Sequence, residues 1–490
     1  MGVPGATARI RLSAPDAISN RRTEFDRNNL VVVAICLGAL AIGALTPLSP
    51  RLAATVVLAF CVVCVIAAKI EALPVLLVFT LFAEGVSLGG LNIGRPAGVL
   101  ALAALVYYLL LRRKADLPIS SLLVIAAMLG FWVLLSAYWA SERSMVFTTF
   151  FRWALSLAFA LVFAVLVRTE RDLKTVLIAF VVAAVVFGAV AIVQYVTSGG
   201  AASGGSWETG LQGDHNFFAA YQGLALAPAL ALASRERMPH LRLGYYVAVV
   251  FIVVSIGISF SRGGLLALLA VVLATLFMPW RILFRRPAQK LGYVLALVFG
   301  AWVIAVLGST QYLGRIQTIF NGHDRGSGRT DLWSAAWHGY VQHPWLGLGS
   351  GGFEAHSLSL LQNTPGVNLS ANWVRAGRPV HNSFLEMLTD LGPIGLALFL
   401  ALIGLTFWFL LRAARRYRSV GNTALQSMTL ALMASFLGIA VSAVFISVEY
   451  GKSIWILVGL ALALDRNSAR EVSAVRAAAQ ISGGRSEASV

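Results

Sequence analysis

The chain has 490 residues, of which 58% are hydrophobic and 12% are charged, about half the charged share of an ordinary soluble domain. This composition excludes a soluble globular protein and indicates an all-α, polytopic membrane protein. The formal net charge of +17 does not indicate a nucleic-acid partner, because the basic residues cluster at every second connection between apolar runs, as the positive-inside rule predicts. These clusters are Arg112 to Lys114, Arg168 with Arg171 and Lys174, Arg235 with Arg237 and Arg242, Arg281 with Arg285, Arg286 and Lys290, and Arg412 with Arg415, Arg416 and Arg418.

In chain order, residues 1–29 are polar and arginine-rich. We expect a disordered cytoplasmic tail there, since no small-residue cleavage site follows the first apolar run. Runs of roughly 17–22 apolar residues then recur, the length that spans a bilayer. They predict about 12–14 transmembrane helices, with a bundle over 30–308, further spans over 381–464 and a disordered cytoplasmic tail over 465–490. The candidate runs are 30–47, 51–68, 72–90, 96–111, 119–139, 150–167, 175–197, 216–233, 244–260, 264–280, 291–308, 391–411, 424–447 and 453–464.

Residues 309–380 form a connection far longer than ordinary loops, and the charge pattern assigns it to the periplasmic side. The segment is rich in tryptophan. Its stretches "RTDLWSAAWHGYV" and "HPWLGLGSGGF" predict one or two short amphipathic helices at the outer surface.

Cysteine and histidine do not form a convincing metal-binding pattern. Cys61 and Cys64 have a C-x-x-C spacing, but both lie in an apolar run without a partner pair or a nearby His, so we interpret them as apolar helix residues. His338 and His343 are five positions apart and lack a carboxylate at helical spacing. We therefore expect no metal site and no cofactor.

Several arginines fall on the outer side, where short loops usually exclude basic residues. Arg262 in "SFSRGG" is the sharpest case, because the two glycines after it would let a large ligand approach closely. Arg152 in "FFRW" and Arg95 in "NIGRP" are weaker cases. A guanidinium fork suits phosphate, although an arginine that only snorkels from a helix end is the alternative for Arg262 and Arg152.

His381 lies where the long loop re-enters the membrane, and there it can meet both an aqueous substrate and a lipid head group. A histidine titrates near neutrality, which suits a general base. The alternative is an interfacial histidine that only hydrogen-bonds the loop. Whether Glu386 and Asp390 assist His381 or simply face the core stays open at this point.

The sequence around His381 resembles a known pattern. The motif H-[NSQ]-x9-G-x-x-G of the O-antigen ligase family is similar to His381-Asn382, nine residues and then Gly392-Pro393-Ile394-Gly395. The G-P-I-G sequence also predicts a helix break there, which would leave 382–391 as a separate segment under the loop. The wider superfamily also includes O-antigen polymerases and protein O-oligosaccharyltransferases. Three further stretches resemble that superfamily, namely "GDHNFFAAY" over 213–221, "SRGG" over 261–264, and "GRTDLW" with "HPWLGLG" in the long loop.

This resemblance implies a GT-C-like glycosyltransferase. The donor would be a glycan on undecaprenyl diphosphate, and the acceptor a sugar hydroxyl of lipid A-core. Transfer would take place at the periplasmic face of the bacterial inner membrane, with inversion and without metal, and would complete lipopolysaccharide. Membrane lipids would surround the protein. The implied catalytic residues are His381 as base with Arg262 and Arg329 at the diphosphate, and the implied substrate-binding residues are Arg152, Arg95, Arg378, Asn382, His215 and Asn216.

Other functions stay open. An O-antigen polymerase would use a second lipid-linked glycan as acceptor, and a protein O-oligosaccharyltransferase would use Ser or Thr. A lipid-linked glycan transporter, with the loop as a lid, is the alternative from a different class. It predicts paired charges or broken helices at mid-membrane, of which the sequence has few.

Overall fold

The computed structural model describes residues 70–85, 87–88, 91–92, 97–99, 101–102, 105, 120–197, 213–320, 328–369 and 374–487. The predicted N-terminal tail, the apolar runs 30–47 and 51–68, and Arg95 lie outside these residues.

Regular structure in the described part of the chain is almost entirely helical. A small antiparallel hairpin joins β1 (Ser87–Leu88) to β2 (Leu91–Asn92). Short 3-10 turns cover Ile70–Ala72 and Ser136–Tyr138. The helices are α1 Leu73–Phe82, α2 Ser121–Leu135, α3 Arg143–Leu166, α4 Glu170–Thr197, α5 His215–Arg235, α6 Pro239–Ile258, α7 Arg262–Phe277, α8 Trp280–Leu283, α9 Pro287–Phe320, α10 Arg329–Gln342, α11 Gly352–Asn363, α12 Ser383–Ser419, α13 Thr423–Ser442 and α14 Lys452–Glu487.

Eight helices among the described residues are long and apolar enough to cross a membrane. They are α2 with its 3-10 extension, α3, α4, α5, α6, α9, α12 and α13, and α1 and α7 are shorter apolar helices. This confirms the prediction of an all-α, polytopic membrane protein. The predicted total of about 12–14 spans includes runs outside the described residues.

Within the described part of the chain, the connections that carry basic clusters meet at one end of the bundle. Arg235 donates to the Thr423 hydroxyl at 2.9 Å and to the carbonyl of Ile282 at 3.3 Å, which joins the α5, α8 and α13 ends. Arg466 donates to the carbonyl of Val167 at 3.1 Å, beyond the end of α3. The alternating charge pattern in the sequence predicted this common end.

The C-terminal segment differs from its prediction. α14 continues to Glu487, so the expected disordered tail over 465–490 is wrong for the residues up to that point. Arg412 holds the Asp465 carboxylate through two hydrogen bonds of 2.7 Å, and Arg416 adds a third at 2.9 Å. This anchor and the alanine-rich sequence that follows it favour continued helix.

The long connection also begins later than predicted, because α9 continues past residue 308 to Phe320. Beyond it, α10 and α11 are the short loop helices that the sequence predicted. They enclose a small hydrophobic core of their own that includes Leu332, Phe353, Leu361 and Val380. The loop is therefore a packed unit with its own hydrophobic core rather than an extended connection.

α12 is broken at Gly392, as the G-P-I-G sequence predicted. Gly392 has φ 67° and ψ −170°, a conformation that is not helical. A Cβ at this position would lie 2.3 Å from the carbonyl oxygen of Trp345 in the loop. Pro393 can begin the second segment because it needs no backbone N–H partner there. Residues 383–391 thus form a separate helical segment packed against the loop.

We expect Gly392→Ala to lower the melting temperature in detergent by several degrees. A Cβ would clash with the loop backbone, and alanine at positive φ costs of order 1 kcal/mol or more. Gly404→Ala is the matched control on the same helix, because no atom lies within 4 Å of its Cβ position. That variant should be neutral or slightly stabilising. Equal melting temperatures for the two variants would contradict this account of the break.

Candidate functional site

The chain turns sharply at the start of α12. His381 has a left-handed backbone with φ 56°, which is uncommon for a residue other than glycine. Its N–H donates to the Ser447 hydroxyl at 3.2 Å. The next residue, Asn382, caps α12 and accepts the N–H groups of Phe384 and Leu385, each at 3.1 Å. Asn382, a predicted substrate-binding residue, therefore also defines where the helix begins.

The starts of α5 and α7 are joined by a chain of side-chain hydrogen bonds. Asp214 caps α5 by accepting the N–H of Asn216 at 2.7 Å. The Asn216 side chain accepts the Ser261 hydroxyl at 2.8 Å, and Ser261 in turn caps α7 by accepting the N–H of Gly264 at 3.0 Å. The "GDHN" and "SRGG" stretches thus form one structural unit. It places His215 and Arg262 as the first residues of their helices.

The two glycines after Arg262 serve helix packing. A Cβ at Gly263 would lie 2.8 Å from Phe445 Cβ, and one at Gly264 would lie 2.3 Å from Ala219 Cβ. The interpretation that these glycines admit a ligand is therefore wrong, since neighbouring protein atoms fill the space. The guanidinium carbon of Arg329 lies 6.0 Å from the centre of the Phe445 ring. Phe445 consequently sits between the start of α7 and Arg329.

Three predicted site residues, Arg378, Arg329 and His215, act electrostatically on His381. Burial lowers the pKa of the His381 imidazole to about 4. The Asp214 carboxylate opposes this shift, while Arg378, Arg329 and His215 lower the pKa further. A pKa this low favours the neutral imidazole at physiological pH.

Arg378 lies half-buried, three residues before His381. Its N–H donates to the Ser357 hydroxyl at 3.1 Å, which fixes the backbone. Burial lowers the pKa of Arg378, and Arg375 lowers it further, but a guanidinium stays charged at neutral pH. Within the described part of the chain, its buried Nε has no hydrogen-bond partner. This cation therefore keeps an N–H donor that can bind an anion.

Arg152 belongs to a different group of charges. Its Nη1 lies 3.7 Å from Glu354 Oε2 on α11. It also acts on the buried carboxyl of Glu449, whose pKa burial raises to about 7. The charges with the largest effect on the pKa of His381 are instead those of Asp214, Arg378, Arg329 and His215. The described contacts of Arg152 are thus with acidic side chains, and its role in substrate binding stays a prediction.

Asp390 connects the loop to α12. Its carboxylate accepts the N–H of Gly351 at 2.7 Å and that of Phe353 at 2.8 Å, at the start of α11. Its backbone carbonyl accepts the N–H of Gly349 at 2.8 Å. Asp390 is therefore an anchor for the loop.

Glu386 has a separate role, one helical turn closer to His381. Its Oε2 accepts the hydroxyl of Ser447 and, at 3.3 Å, the N–H of Val380. Since Ser447 also accepts the N–H of His381, the carboxylate is linked to both residues that precede Asn382.

Residues 247–400 match the family model described as O-antigen ligase. The matched segment runs from α6 through α7, both loop helices and His381, and ends beyond Gly392. This segment therefore resembles an O-antigen ligase domain. The match confirms the resemblance to the ligase/polymerase superfamily, and a comparison with curated proteins finds no match. The matched segment includes His381, Arg262, Arg329 and Arg378.

Sequence reasoning missed several residues of the candidate site that lie outside the matched segment. Asp214 carried a usable signal, because an aspartate just before an apolar helix is a typical N-cap. Phe445, Ser447 and Glu449 lie in the connection between α13 and α14, which sequence reasoning treated as a membrane span and a short outer loop. Their contacts with α12 join residues about sixty positions apart. No local pattern reveals such a pairing.

The sequence predicted no metal site. Among the described residues, no group of three or more His, Cys, Asp or Glu side chains is arranged to hold a metal ion. Metal-independent chemistry of the ligase domain stays a prediction.

Two substitutions should move the pKa of His381 in opposite directions. Asp214→Asn keeps the helix cap but removes the negative charge that raises the pKa, so the pKa should fall. Arg378→Gln removes a positive charge that lowers it, so the pKa should rise. The pKa of His381 can be measured from the pH dependence of its modification by diethyl pyrocarbonate, followed by mass spectrometry, because only the neutral imidazole reacts. Exposed His240 serves as the internal control, and shifts of the same sign would contradict the assignment.

Proposed function

We propose that this protein is an O-antigen ligase that transfers a glycan from undecaprenyl diphosphate to a sugar hydroxyl of lipid A-core. The reaction takes place at the periplasmic face of the inner membrane. The observation that carries the proposal is the convergence of charges on the buried His381 imidazole, where Arg378 and Arg329 lower its pKa and Asp214 raises it. This group lies at the end of α12 opposite the basic cluster that begins at Arg412.

His381 acts as the general base. Its imidazole accepts the proton of the acceptor hydroxyl, whose oxygen attacks the anomeric carbon in line and with inversion. The bond from that carbon to the diphosphate oxygen breaks, and undecaprenyl diphosphate leaves with the electron pair. A bound diphosphate would raise the low pKa of the free protein's imidazole, because a nearby anion favours the protonated form. Asp214 stabilises the imidazolium in the same way.

Arg262 and Arg329 bind the diphosphate. Each is the first residue of its helix, so the positive ends of the α7 and α10 dipoles add to the guanidinium charges. Phe445 packs against Gly263, the residue after Arg262, and its ring lies 6.0 Å from the guanidinium carbon of Arg329. Fixed cations of this kind stabilise the charge that develops on the leaving group.

The remaining predicted residues contribute in different ways. Arg378 offers its buried N–H donor to a phosphate oxygen or to the acceptor. Asn382 shapes the wall of the site by capping α12, and Asn216 does so by accepting the hydroxyl of Ser261, the cap of α7. His215 adds a neighbouring polar group. Arg152 and Arg95 are proposed to contact the donor or acceptor farther from His381.

His381→Ala should lower transfer by about 10²–10⁴-fold, the usual contribution of a general base. The assay uses purified protein in liposomes with a lipid-linked glycan. Lipid A-core, a second lipid-linked glycan and a Ser/Thr peptide are offered as separate acceptors, each with and without EDTA. We expect transfer to lipid A-core, unchanged by EDTA.

His338→Ala is the matched control, since this loop histidine hydrogen-bonds Gln342 and is not among the groups that act on His381. It should retain normal activity. Full activity of a well-folded His381→Ala variant would remove His381 from the mechanism. Transfer only to one of the other acceptors would assign the protein to the polymerase or protein-transferase branch.

Arg262→Lys should lower transfer roughly tenfold or more, because lysine keeps the charge but loses the two-pronged contact with phosphate. Arg281→Lys is the control, because Arg281 lies on α8, beyond the opposite end of α7. This variant should leave the transfer rate unchanged. A near-normal rate for Arg262→Lys would indicate that Arg262 only snorkels from the end of α7.

A further inference from the structure

The backbone at His381 has to be held in place by its surroundings. With φ 56°, the residue occupies a region that L-residues other than glycine rarely adopt. Such a conformation persists only where neighbouring contacts over-determine it. Asn382 does not supply them, because its side chain caps the N–H groups that follow it in the helix.

The N–H groups of Val380 and His381, the two residues before Asn382, are both linked to a single carboxylate oxygen. Oε2 of Glu386 accepts the N–H of Val380 directly and the hydroxyl of Ser447. Ser447 accepts the N–H of His381 with the same oxygen that donates to Glu386. In an ordinary capping box the acidic side chain reaches back only to the N-cap residue. Here it reaches past Asn382 and fixes the two residues before it.

Ser447 is itself fixed on the start of α12. The Ser383 N–H donates to the carbonyl of Ala443 at 2.8 Å. The Ser383 hydroxyl donates to the carbonyl of Ile446 at 3.0 Å and accepts the N–H of Val448 at 2.8 Å. Ser383, Ser447 and Glu386 thus lock the α13–α14 connection against the turn at His381, and Glu386 and Ser383 are both buried.

We propose that Glu386 is a positioning residue for the base. Acting through Ser447, it holds His381 in its left-handed conformation and so directs the imidazole toward Asp214, Arg329 and Arg378. Without this carboxylate, the backbone relaxes to negative φ and the Cα–Cβ bond points elsewhere. The inference rests on the proposed function, in which His381 is the general base.

Four variants test the proposal with the liposome assay. Glu386→Ala and Ser447→Ala break the link and should lower kcat roughly 10- to 100-fold, since a misplaced group costs about that much. Glu386→Gln and Ser447→Thr keep an acceptor and a hydroxyl, and should stay within about threefold of the wild type. The KM for the lipid-linked donor should remain within about twofold in all four, because its cationic site is untouched.

Ser447→Ala is the milder variant if Glu386→Ala fails to fold. It removes the hydrogen bond to the N–H of His381 but keeps the one between Glu386 and the N–H of Val380. Loss of kcat in the alanine variants with recovery in the conservative ones supports positioning. Unchanged kcat in folded Glu386→Ala, or equal losses in Glu386→Ala and Glu386→Gln, would overturn it. His381→Ala separates the two claims: if that variant is active, the proposed base is wrong, and if it is inactive while Glu386→Ala is active, only the positioning role fails.

Discussion

The carboxylate of Asp390 joins the membrane-spanning part of the chain to the long loop, and the rest of the site depends on that junction. A buried charge is costly unless hydrogen bonds and dipoles compensate it. Asp390 obtains this compensation from the N–H groups of Gly351 and Phe353 at the start of α11. The break at Gly392 lets the Trp345 backbone pack beside the same segment. Together these contacts seat the loop helices on the start of α12.

The candidate site is then assembled from helix starts. A hydrogen bond joins the starts of α5 and α7, Phe445 neighbours the start of α7 and Arg329 of α10, and Ser447 holds the turn before α12. Each of these four helices carries a predicted site residue at or next to its first position. Helix starts carry free N–H groups and partial positive charge, so they suit an anionic substrate. The cations of Arg329 and Arg378 lower the proton affinity of His381. In the proposed reaction an arriving diphosphate would reverse that effect, so the base would gain strength when its substrate is present.

The sequence predicted much of this arrangement because the signals were local. Apolar runs and basic clusters predicted the spanning helices and the common basic end, and G-P-I-G predicted the break at Gly392. The misses come from tertiary contacts. Gly263 looked like part of a ligand site until Phe445 was seen to fill the space. The residues after Asp465 looked like a polar tail because the anchor at Arg412 is 53 positions away.

The central claim is that the cations around His381 form the diphosphate site for a lipid-linked glycan. A cryo-EM structure of the His381→Ala variant in lipid nanodiscs, with the lipid-linked donor bound, tests it most directly. The account predicts the diphosphate between Arg262 and Arg329, with the anomeric carbon facing residue 381. A donor bound with its diphosphate away from both arginines would contradict it.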